Sequence, residues 1–219
     1  MNASLSSLLR ARGGASAAEF ALVVPLLTLF LLGIIDTGRF MWEYNRAEKA
    51  TQIGARMAIV TTALPSGLID KSYVGEPSGS TTLKAGDAIP ASLLGTILCT
   101  STGCICEATP CPPLGTFNST FFTNGLVARM RQINPTITAA NVQVRYSGSD
   151  LGMAAPAPAK VGDPNPMDIS PLITVSLGGG TAATRLKFRP ITSLLFIEMN
   201  MPTFSTTLTA EDVSGDYSN

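Results

Sequence analysis

Two sets of residues in this chain have the types and spacing to do chemistry. The first is a lone carboxylate: Glu19 is the single charged residue among the 21 from Ala15 to Ile35, the most apolar stretch of the 219. Near the end of a membrane span a carboxylate costs up to about 2 to 3 kcal/mol unless it reaches the interface or a partner. Its chemistry is that of a charge in want of a counter-ion. The second set is four cysteines within 13 residues, Cys99, Cys104, Cys106 and Cys111. An even, clustered set of this kind reads as two disulfides in an oxidising compartment. The C-x2-C spacing of a zinc ribbon is missing, so no metal is expected there. A bridge between Cys104 and Cys106 would be strained, which leaves Cys99 pairing with Cys104 or Cys106 and Cys111 taking the other. A third grouping, Asp163, Asn165 and Asp168, alternates oxygen ligands. The intervening Pro164 and Pro166, and the lack of a calcium loop's glycine and glutamate, argue against a cation site.

What is absent narrows the chemistry further. The chain has no histidine, which removes Ser-His-Asp triads, Cys-His dyads and the commonest metal ligand together. Fifteen Lys and Arg balance fifteen Asp and Glu, so there is no electrostatic case for a nucleic-acid partner. Neither an enzyme nor a cofactor-binding protein is expected.

The element that must position Glu19 is a helix. At 1.5 Å per residue, the run from Ala15 to Ile35 covers the roughly 30 Å hydrocarbon core of a bilayer. Before it lies a short tip with Arg10 and Arg12 and no acid, which places the amino terminus in the cytoplasm and the long C-terminal part on the far side. A cleavable secretory signal would put its small-residue site after the apolar run, where this chain has Asp36-Thr37-Gly38-Arg39 instead. The helical pattern continues from Gly38 to Val60 without a proline. A stripe of small residues, Ala47, Ala50 or Thr51, Gly54 and Ala58, offers one face for close approach to another backbone. Trp42 and Tyr44 follow the span, where an interfacial aromatic belt belongs.

Downstream, Pro65-Ser66-Gly67 and the stretch from Gly75 to Ser80 read as turns. Asn118 to Ile133 reads as an amphipathic helix with Phe121, Phe122, Leu126, Val127 and Met130 on one face, stopped by Asn134-Pro135. Four alternating segments predict strands: Asn141 to Tyr146, Leu172 to Leu177, Ala183 to Phe188 and Thr203 to Thr209. A proline-rich excursion fills Gly148 to Pro171, and Pro190 to Met199 reads as a short helix packed on the sheet. The cysteine window reads as a disulfide-ordered loop, 99–111.

These features converge on a resemblance. Gly14, Ala15, Glu19 and Phe20 ahead of an apolar helix resemble the processing site of type IV prepilins of the Tad (Flp) class. The wider run, with Ala17, Ala21, Leu22, Pro25, Gly38, Arg39, Ala50, Gly54, Ala55 and Arg56, resembles the N-terminal region of TadE-like minor pilins and pseudopilins. The resemblance implies cleavage by a prepilin peptidase after Gly14. It also implies a mature chain starting at Ala15, and a Glu19 that pairs with the freed amino group of a neighbouring subunit and so sets the assembly register. Pro25, Gly38, Arg39, Ala47, Gly54 and Arg56 become helix-packing positions. The implied partners are the membrane, the peptidase, other pilin subunits and the pilus assembly platform, and the implied role is pilus assembly and surface adhesion.

The expected architecture is α+β and pilin-like. It comprises a basic leader at 1–14, a long helix at 15–60 with its span at about 15–36, and an extracytoplasmic domain at 61–219 with an antiparallel sheet and one or two helices. The expected location is the bacterial inner membrane, single-pass, with the C-terminal domain facing the periplasm or the pilus surface. The alternative is a permanently anchored envelope protein, uncut at Gly14, whose exported domain binds a ligand or partner.

Overall fold

A computed structural model describes residues 12–84, 90–148, 171–191 and 197–210. The chain forms two compact units, Met1–Glu43 with Phe188–Met199, and Tyr44–Lys187 with Asn200–Asn219. The division falls inside the long helix, between Glu43 and Tyr44.

That helix, α1, runs unbroken over Arg12–Ile59, through Pro25. Its first half is apolar all round: an 18-residue window reaches a mean hydropathy of 2.4 with none of it buried. Water would not tolerate such a surface, and α1 is long and apolar enough to cross a membrane once. Two hydroxyls along this helix are satisfied by its own backbone, Thr28 Oγ1 donating to Val24 O and Thr37 Oγ1 to Gly33 O, each at 2.8 Å.

The second unit is built on a five-stranded antiparallel sheet in the order β4-β3-β5-β6-β9. Its strands are β3 (Thr96–Thr100), β4 (Gly103–Ala108), β5 (Val142–Ser147), β6 (Leu172–Leu177) and β9 (Phe204–Thr209), preceded by the two-residue hairpin strands β1 (Pro77–Ser78) and β2 (Thr81–Thr82). Alternation decides the faces. Val142, Val144 and Tyr146 on β5, Ile173, Val175 and Leu177 on β6, and Ile97 and Cys99 on β3 point inward and are buried. The other face is polar, with Thr174 and Thr207 hydroxyls 2.7 Å apart and Arg145 bidentate on Glu107 at 2.8 and 3.1 Å. Both members of that ion pair are well exposed, so it adds at most about 1 kcal/mol.

Residues 44–59 of α1 cover the apolar face. Ala47, Ala50, Thr51, Ala55 and Ala58 are buried there, Thr51 Oγ1 lies 3.0 Å from Thr206 Oγ1, and Tyr44 meets Phe204 edge-on at 4.9 Å. The small-residue stripe thus lies against this chain's own sheet, where short side chains let the helix backbone approach the sheet closely. A second helix closes the core. It opens with a wide π-helical turn, Phe121–Val127, and continues as α3, Ala128–Ile133. The expected face, Phe121, Phe122, Leu126, Val127 and Met130, is the buried one. Each such side chain contributes about 1.5 to 3 kcal/mol by leaving water.

Two sequence expectations are corrected. The window over 99–111 is not a loop: β3 and β4 form a hairpin in which Cys99 faces Cys104. The bridges are Cys99–Cys104 and Cys106–Cys111. The segment read as a strand from Ala183 to Phe188 is instead a 3-10 turn, Ala182–Thr184, and a two-residue strand, β7 (Lys187–Phe188). Pro65-Ser66-Gly67 leads into a one-turn helix, α2 (Gly67–Asp70), where Gly67 lies against the Pro113 carbonyl with no room for a side chain. The helix read over Pro190 to Met199 lies partly outside the described residues; at its ends the chain makes a turn at Ile191 and a short strand, β8 (Met199–Asn200). Most of the proline-rich excursion, with Asp163, Asn165 and Asp168, also lies outside them.

Two buried tyrosines make this core sensitive to alkali. Tyr146 is fully buried and its hydroxyl accepts the Leu64 N–H at 3.1 Å; burial raises its pKa, only partly opposed by that bond. Tyr73 is pushed up from 10.0 to about 12, first by burial and then by the charge of Glu76. A folded-state pKa above the unfolded one means that the unfolded chain releases its proton first. Their contribution is therefore intact below about pH 10 and is lost as pH rises toward 12. Thermal midpoints followed by circular dichroism should fall through that window, whereas a flat profile would show that neither phenol is buried.

Candidate functional site

The residues singled out at the start of α1 are helical. Gly14 and Ala15 lie in its first turns, so the peptide bond between them is part of a helical backbone. A peptidase needs that bond extended, and two adjacent glycines, Gly13 and Gly14, weaken the turn by about 1 kcal/mol each relative to alanine. Glu19 and Phe20 are exposed on the next turns, as is Pro25. None of the ion pairs among the described residues involves Glu19; they use Asp36, Glu43, Glu76, Glu107 and Glu198. Its carboxylate therefore faces whatever surrounds the helix.

The helix-packing positions divide. Ala47 and Gly54 are buried in the second unit, and a Cβ added at Gly54 would sit 2.9 Å from Met130 Sδ and 3.2 Å from Val175 Cγ1. Gly38 is different: a Cβ there meets nothing within 4 Å. Arg56 is exposed. Arg46, not singled out from the sequence, donates from Nε to the Ile133 carbonyl at 2.7 Å and so ties α1 to the end of α3.

At the far end of the apolar run the first unit has a cluster that joins Arg39, one of the expected helix-packing positions, to Asp36, which was not among them. Asp36 is buried, with its Oδ1 accepting the backbone N–H of Ile191 at 2.7 Å and Arg39 Nη1 at 3.2 Å. Arg39 also reaches the Arg189 carbonyl at 3.4 Å and lies over the Phe188 ring, 5.6 Å from its centroid. Phe188 in turn meets Phe40 edge-on at 5.3 Å. A signal was available, an acid three residues before an arginine where an apolar run ends. Its partner, 155 residues away, was not.

No group of three or more potential metal ligands exists among the described residues.

Residues 14–56 match the family model described as TadE-like protein. Over this segment the chain is similar to TadE-like proteins. The matched region runs from the glycine before the apolar run to Arg56, so it takes in the lone carboxylate, the whole apolar half of α1 and nearly all of the half that covers the sheet. No curated protein and no solved structure matches the chain. The TadE-like segment therefore ends within α1, and the five-stranded sheet downstream lies outside it.

Proposed function

We propose that this chain is a pseudopilin, or minor pilin, of a Tad-type pilus. It would be cut by a prepilin peptidase after Gly14, held in the inner membrane by α1 until assembly, and would carry its sheet domain on the extracytoplasmic side. The observation that carries this reading is the TadE-like match over residues 14–56, because it joins the cleavage residues to a helix whose apolar half is wholly exposed. That half must be covered by lipid before assembly and by other helices afterwards. The two disulfides support an oxidising location for the domain, and the basic tip supports a cytoplasmic amino terminus. The partners on this reading are the peptidase, the assembly platform and other pilin subunits. The domain then acts in pilus assembly and surface adhesion.

Mass spectrometry of the protein extracted from membranes tests it. A chain beginning at Ala15 is expected, and one retaining Met1 would support the permanently anchored alternative instead.

A further inference from the structure

Residues 188–191 are tied to α1 at one particular height. The Asp36 carboxylate holds the Ile191 N–H, Arg39 reaches the Arg189 carbonyl, and Phe188 stacks edge-on against Phe40. The two limbs are joined to each other by Arg189 Nε and Glu198 Oε2 at 2.7 Å. These contacts fall on helix residues 36–40, immediately after the last apolar residue of the span, Ile35. At 1.5 Å per residue this is from about 1.5 to 7.5 Å beyond the hydrocarbon edge. The polar interfacial layer of a bilayer occupies roughly the first 5 to 7 Å there.

What the segment presents at that height is apolar. Ile191 is 54% exposed, Ile197 87% and Met199 50%, and on the helix Ile34 and Ile35 are exposed as well. Between the limbs and α1 runs an apolar groove of about 910 Å³, lined by Phe30, Phe40, Phe188, Pro190 and Met199 among others. The Arg189 side chain, 81% exposed, stands beside this surface with a long stem and a charged head, as does a residue that reaches from an apolar layer to phosphates.

We propose that residues 188–191 and 197–199 form a second membrane contact, lying in the interfacial layer of the phospholipid bilayer beside the exit of α1, with Asp36 as the residue that positions them. The occupant of the exposed apolar surface is lipid, because the clamp to residues 36–40 fixes its height where the span requires lipid headgroups and upper acyl chains to be. This rests on the anchoring of α1 in a bilayer and not on cleavage or pilus membership. It extends the single-pass anchor to an anchor with a lateral foot, which resists tilting and rotation of the helix in the membrane.

The chain has one tryptophan, Trp42, so a Trp42→Phe background gives single reporters. Full-length protein would be reconstituted in phosphatidylcholine and phosphatidylglycerol vesicles carrying brominated acyl chains, with Ile197→Trp or Ile191→Trp as the reporter. Phe30→Trp marks the span and Ile105→Trp, on the outer strand of the sheet, marks a control site. Quenching at Ile197→Trp and Ile191→Trp is expected to exceed that at Ile105→Trp by roughly threefold or more, as for a side chain buried at the headgroup and acyl boundary. If both match Ile105→Trp while Phe30→Trp is quenched, the contact is refuted and the anchor stands. If Phe30→Trp itself is unquenched, the anchor fails and the contact with it. Shielding from aqueous acrylamide without lipid quenching, lost on dilution with lipid, would show a second copy on this face and would also overturn the proposal.

Discussion

Replacing Glu19 with glutamine is expected to leave the protein anchored and processed while abolishing its incorporation into pili. Glu19 is exposed on α1, and none of the ion pairs among the described residues uses it. Its carboxylate is thus uncompensated among the described residues. When helices pack around it and lipid or water is excluded, an unpaired charge costs several kcal/mol, and the amino group of a neighbour's residue 15 is the counter-ion that the TadE-like reading supplies. Glutamine keeps the shape and loses the attraction, leaving the neighbour's ammonium buried alone. Breaking such a pair costs about 3 to 5 kcal/mol, equivalent to a hundredfold or more in the assembly equilibrium. Membrane insertion should be unchanged or slightly favoured, since a neutral side chain enters the bilayer more readily. Immunoblots of sheared pili against membrane fractions measure the first effect, and the mass of the membrane form checks processing. Wild-type levels in the sheared fraction would refute the register role.

The second large effect concerns folding. Gly54→Leu is expected to destabilise the sheet unit by about 3 kcal/mol, the upper part of the range for overpacking a tight core. A bare Cβ at this position already approaches Met130 Sδ at 2.9 Å and Val175 Cγ1 at 3.2 Å. Met130 and Val175 are both buried, so neither side chain has free volume to move into. The gain from replacing a helical glycine, about 1 kcal/mol, does not offset this. For a unit of this size the thermal midpoint should fall by roughly 6 to 12 °C. Gly38→Ala is the contrasting case: with nothing within 4 Å of its Cβ, the same propensity gain should appear as a slightly more stable helix. A midpoint for Gly54→Leu equal to that of the wild type would show that α1 does not press on the sheet there.

Glycines 38 and 54 look alike in the sequence, each part of the TadE-like pattern and each assigned to helix packing. One is sealed under its own sheet and the other faces open space, because 16 residues of helix separate a surface that covers the core from one that does not. Spacing shows that a face is smooth, but not what lies against it. The same limit explains Asp36. Its type and its arginine at the third position were visible, yet its meaning depends on a backbone N–H 155 residues away. The hairpin of β3 and β4 is not visible as a period of two, because Ile97, Leu98 and Cys99 are three apolar residues in a row; only strand pairing decides that Ile97 and Cys99 face the core, and Gly103 takes a φ of 138° at the turn.

Residue order alone therefore carried everything governed by local chemistry. The apolar run and its one carboxylate, the absence of histidine, the paired cysteines and the alternation of β5 and β6 are properties of a chain that need no distant partner to be recognised. Tertiary structure decided what depends on who meets whom. It spent the small-residue stripe of α1 on the chain's own sheet, turned the cysteine window into a disulfide-closed hairpin, divided the units within the helix and gave Asp36 its partner. Such contacts form between residues a hundred or more positions apart, and their closure is set by packing volume and buried hydrogen bonds, quantities that no local window of sequence contains.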